Sequence, residues 1–85
     1  MARFEDAVDA RFVLDDLKNQ LKSINYNPDL KRYFENLENM VSKLSSLEVV
    51  ARRTGNTRKV EEYAQKLEES ILYLEHLILM AKLIQ

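Results

Sequence analysis

Apolar residues recur three and four positions apart in three separate runs. The first is Ala7, Ala10, Leu14, Leu17, Leu21 and Ile24. The second is Leu30, Tyr33, Leu37, Met40, Leu44, Leu47 and Ala51, broadened by Phe34 and Val41. The third is Val60, Tyr63, Leu67, Leu74, Leu77, Ala81 and Ile84, broadened by Ala64, Ile71 and Ile78. This spacing gathers each set on one face of an α-helix, because a helix turns through about 100° per residue.

Two breaks separate the runs. At Asn27-Pro28-Asp29, Asn27 can accept from the orphan amides of a new helix. Pro28 suits the first helical position, where no N–H is needed, and Asp29 complements the positive helix end. At Thr54-Gly55-Asn56-Thr57, the single glycine follows Arg52 and Arg53, where a left-handed residue closes a helix, and Asn56 or Thr57 then caps the next one. Pattern and breaks together predict an all-α fold in one domain spanning 1–85: an antiparallel up-down-up three-helix bundle with helices over about 3–24, 28–53 and 57–84. The second and third helices should each run roughly 40 Å and the first roughly 33 Å. A long helical hairpin that completes its core by dimerising is the competing version. Acid-before-base pairs four apart, Glu48 to Arg52 and Glu62 to Lys66, fit the helical reading.

The stretch Gly55-Asn56-Thr57-Arg58-Lys59-Val60-Glu61-Glu62-Tyr63-Ala64 is similar to the turn and second-helix start of tetratricopeptide-type helical hairpins. The resemblance implies shared hairpin-turn chemistry over these residues. The flanking helices are about twice that repeat's usual length and no second copy follows, so no functional residue is carried over.

Composition narrows the classes of function. The 85 residues include one glycine, one proline, one histidine and no cysteine, with 46% hydrophobic and 32% charged residues. Without cysteine there is no disulfide scaffold, thiolate metal site or cysteine nucleophile. Thirteen basic residues against fourteen acidic ones leave a net charge of −1, too little to draw the whole molecule onto nucleic acid or an anionic membrane. The N-terminal Met-Ala-Arg-Phe-Glu-Asp places acids where a signal peptide needs a basic and then apolar run. The greasiest stretch, Ile71 to Ile84, contains Glu75, His76 and Lys82 and is about five residues short of a bilayer span. The expectation is a cytoplasmic protein that does not enter a membrane.

Candidate chemistry is thin. His76 is the one imidazole, and no Glu-x-x-His spacing accompanies it. Glu75 and His76 are adjacent and point about 100° apart, so they cannot chelate one ion together. One glycine cannot build a phosphate-cradling loop. The paired acids Asp15-Asp16, Glu61-Glu62 and Glu68-Glu69 read as solvated helix surface. The sequence therefore predicts no catalytic residue, no metal, no cofactor, no small-molecule substrate and no enzymatic activity.

Two surfaces look unfinished. Leu72, His76, Leu79 and Leu83 lie roughly 130° to 170° from the third helix's inward seam, with Tyr73 and Met80 beside them. The first helix shows a smaller stripe of Phe4, Val8 and Phe12, spaced four apart. Contiguous apolar surface of this kind marks a site for a protein partner or a second copy of the chain. Arg52, Arg53, Arg58 and Lys59 crowd the second turn with no acid from 49 to 60, so a phosphate or nucleic-acid contact there is the alternative reading.

Overall fold

The computed structural model describes residues 4–24 and 28–84. Three helices follow one another, α1 (Ala7–Lys22), α2 (Pro28–Thr54) and α3 (Arg58–Leu83), with no strand among the described residues. They form the expected three-helix bundle, 48 × 22 × 17 Å, in which α2 packs against both other helices and α1 meets α3 less extensively.

The first helix is shorter than the pattern predicts, about 24 Å rather than about 33 Å. Its start is fixed by Asp6, which stands in extended conformation and whose carboxylate accepts the Asp9 N–H at 2.9 Å. Residues 4 and 5, which precede that cap, are not helical, and Phe4 turns inward to 4% exposure. At the other end Ser23 closes the helix, its N–H and its hydroxyl both donating to the Gln20 carbonyl, at 3.1 and 2.7 Å. Ile24 lies beyond that cap and is still buried. The expected capping by Asn27 lies outside the described residues.

The second turn forms as its residues suggest. Gly55 has φ +75°, and its N–H donates to the Ala51 carbonyl at 2.8 Å. The Thr54 hydroxyl donates to the Val50 carbonyl at 3.1 Å and accepts the Asn56 N–H at 3.3 Å. Thr57 is the N-cap residue of α3 by backbone position, but its side chain caps no amide. The Asn56 side chain does so instead, accepting the Arg58 N–H at 3.1 Å. Capping is thus divided between the two residues.

Core residues follow the heptad seams. Leu14 and Leu17 from α1, Leu37, Val41 and Leu44 from α2, and Leu67, Ile71, Leu74 and Ile78 from α3 are all essentially fully buried. No polar side chain is buried among the described residues. Glu48 on α2 reaches across to α1, where its carboxylate accepts the Ala7 N–H at 2.9 Å. This contact ties the start of α1 to the last turns of α2 and fixes their antiparallel register. Between α2 and α3, the Tyr33 and Tyr73 rings meet edge to face with centroids 5.6 Å apart, and the Lys43 ammonium sits 5.3 Å from the Tyr63 ring centre. Each step forward along α2 is matched by a step back along α3, so Pro28 stands level with Ile78 and α3 runs on by roughly 8 Å.

Candidate interaction surface

The buried seam of α3 is Leu67, Ile71, Leu74 and Ile78. Measured from its mean direction, Leu72, His76, Leu79 and Leu83 project about 110° to 170° away. All four are exposed, Leu72 at 48%, Leu79 at 56% and Leu83 at 73%. Met80 is half exposed and borders them on the α2 side. Tyr73 lies on the same flank and is not wholly free, since one edge of its ring packs on Tyr33.

Ile84, which the pattern assigned to the inward seam, is 85% exposed. The reason is the register, because α3 has by then passed the start of α2 and has no α2 residue beside it. Ile84 therefore joins the outer apolar group. From Leu72 onward the outward arc of α3 carries no charged side chain between Leu79 on one side and Ile84 on the other. Lys82 and Glu75 stand together on the flank toward α1.

The stripe expected on the first helix is reduced. Phe4 belongs to the core and lies against Val60 and Ala64 of α3, because Asp6 starts the helix after it. Val8 and Phe12 remain outside, Phe12 at 67% exposure. They share a shallow groove with Ser45, which places them on the α1–α2 side of the bundle. On α2, Ser45 and Lys43 project about 160° apart, so this patch and the α2–α3 groove occupy opposite flanks of α2. Val8 and Phe12 are therefore not continuous with the α3 surface. Val49, one turn beyond Ser45, is an exposed neighbour that the heptad pattern did not single out.

Arg52, Arg53, Arg58 and Lys59 are all exposed at the second turn. Arg58 is engaged by its own helix, with Nε 3.1 Å from the Glu62 carboxylate. That pair accounts for a cation at a helix start, where positive charge is otherwise unfavourable. Lys59 lines an open groove between α2 and α3 together with Lys43, Lys66, Tyr63, Leu47 and the acid Glu62. Lys43 and Lys66 were absent from the expected basic set. Lys66 lies two helical turns beyond Lys59 on the same face of α3, and Lys43 joins them through the antiparallel packing of α2 on α3.

No helix among the described residues is long and apolar enough to cross a membrane, and no group of three His, Cys, Asp or Glu residues among them could hold a metal ion. No protein-family model, curated protein or solved structure matches the chain.

Proposed function

We propose that the protein is a non-catalytic helical interaction module, an accessory subunit or homo-oligomer, which docks through the outer face of the last three turns of α3. One observation carries this reading. Leu72, Leu79, Met80 and Leu83 are large, apolar and exposed on one contiguous surface, while a separate and complete seam of the same helix fills the core. Apolar anchors on a preformed helix face are how bundle-completing and helix-in-groove contacts obtain most of their free energy.

The test is the pair of substitutions Leu79→Asp and Leu83→Asp, made together. Far-UV circular dichroism and urea unfolding should stay within about 0.5 kcal/mol of wild type, as for surface positions, while any association of the chain is lost. A loss of more than about 2 kcal/mol of monomer stability would mean that these leucines are core, and the reading would fail.

A second reading, contact with phosphates at the basic turn, is favoured by one groove that Lys43, Lys59 and Lys66 line with a single acid, Glu62, which is itself paired with Arg58. Titration of a labelled oligonucleotide at low and moderate salt checks it. Affinity should fall steeply with salt if the lysines carry the contact.

A further inference from the structure

We propose that the occupant of the α3 face is a second copy of this chain, paired antiparallel about a two-fold axis that passes between Leu77 and Ile78. This rests on the docking role proposed above and specifies its partner. The outer residues Leu72, His76, Leu79 and Leu83 are spaced four, three and four apart. That series reads the same in both directions. An antiparallel two-fold therefore sets Leu72 against Leu83 of the second copy and His76 against Leu79, each layer occurring twice.

Charge agrees with this register. Once those layers are fixed, the flanking residue Glu75 faces Lys82 of the second copy, and symmetry gives the pair twice. Tyr73 and Met80 occupy the other flank and face each other across the axis, a ring-to-sulfur contact of the favourable kind. A parallel pairing would instead bring both clusters of Arg52, Arg53, Arg58 and Lys59 to one end. The antiparallel one separates them by roughly 60 Å, beyond a Debye length at physiological salt.

Area limits the size of the contact without fixing its affinity. Leu72, Tyr73, Leu79, Met80, Leu83 and Ile84 are about half exposed or more. Together they offer on the order of 700 Å², slightly under the roughly 800 Å² per partner of a standard interface. A reversible dimer with Kd in the range of about 1–100 μM is expected.

The experiment uses sedimentation equilibrium on the full chain from about 1 μM to about 1 mM, bracketing that range. The expected result is a reversible rise from 10.0 kDa toward twice that mass. Glu75→Lys and Lys82→Glu should each weaken the dimer about three- to tenfold, and the double exchange should restore it. Glu75 also interacts within its own chain, so thermal melting accompanies each variant to separate a folding defect from a lost pair. The chain has no cysteine, which makes orientation readable by thiol crosslinking. A Leu72→Cys chain mixed with a Leu83→Cys chain should join through a short bismaleimide, and neither should join to itself. Self-joining of Leu72→Cys, or a dimer unaffected by Leu79→Asp, would overturn the proposed pairing. A monomer at every concentration would also overturn it, while leaving the docking role itself to be decided by the stability of the double aspartate variant.

Discussion

Removing the carboxylate of Glu48 should loosen the start of α1 more than its place on a helix surface implies. The half-buried Glu48 side chain accepts the Ala7 N–H at 2.9 Å, and Ala7 is one of the amides that a helix leaves without an internal partner. A hydrogen bond to a charged acceptor contributes about 1.5–3 kcal/mol, and a carboxylate near a helix N-terminus adds up to about 1 kcal/mol where it is partly exposed. Alanine's higher helix propensity offsets a few tenths of this within α2. The bond is only part-buried, which keeps the sum at its low end, so Glu48→Ala should cost about 1–2 kcal/mol and Glu48→Gln, which keeps an acceptor but loses the charge, about 0.5–1 kcal/mol. Urea unfolding followed by far-UV circular dichroism gives these values. In a chain of this length Glu48→Ala should lower Tm by roughly 4–16 °C. Amide exchange would localise the effect, with Ala7 to Ala10 losing protection before the middle of α2. A Glu48→Ala variant within about 0.3 kcal/mol of wild type, or one destabilised equally by Gln and Ala, would refute the interhelical cap.

Three further substitutions probe the frame of the bundle. Gly55→Ala meets no neighbour within 4 Å, so its whole cost is the left-handed backbone at φ +75°, about 1–2 kcal/mol in the same urea assay. Phe4→Ala should cost about 2–4 kcal/mol and Phe12→Ala less than about 0.5 kcal/mol, although both are phenylalanines read from one stripe. Comparable losses from the two would contradict the placement of Phe4 in the core and Phe12 outside it.

Helix number, order and antiparallel sense were legible from the heptad rows and the Asn-Pro and Thr-Gly-Asn breaks, because these are local signals. What was not legible depended on contacts between helices. Glu48 reads in sequence as a partner for Arg52 one turn later, yet it caps α1, forty-one positions away. Phe4 falls on the helical spacing of Val8 and Phe12, and only the Asp6 cap removes it from that helix. The Asp6 signal was present in the sequence, an acid three residues before another amide it could bind, but the apolar spacing masked it. Ile84 continues the inward period of α3, but the period says nothing about where α2 begins beside it. Lys43 joins the basic groove across the packing of α2 on α3 and Lys66 by the seven-residue repeat from Lys59, and a run of cations along the chain displays neither.

The outward face of α3 changes character at Ser70, and folding alone does not account for the change. Before Ser70 the outward positions are Arg58, Glu61, Glu62, Gln65, Lys66 and Glu69. After it they are Leu72, Tyr73, His76, Leu79, Met80 and Leu83. The inward seam runs through this boundary without interruption, with Leu67 and Ile71 as fully buried as Leu74 and Ile78. Both halves of the helix therefore meet the same demand from the core, and a monomer would be served equally well by charged residues on either outward half. Exposed leucines add nothing to a fold whose seam is already complete, and they carry a risk of indiscriminate association. On the docking role proposed above, the difference between the halves lies outside the monomer. A contact limited to the last three turns would leave the acidic first half solvated and set Lys82 and Glu75 at its edge, as the antiparallel pairing of two α3 helices requires.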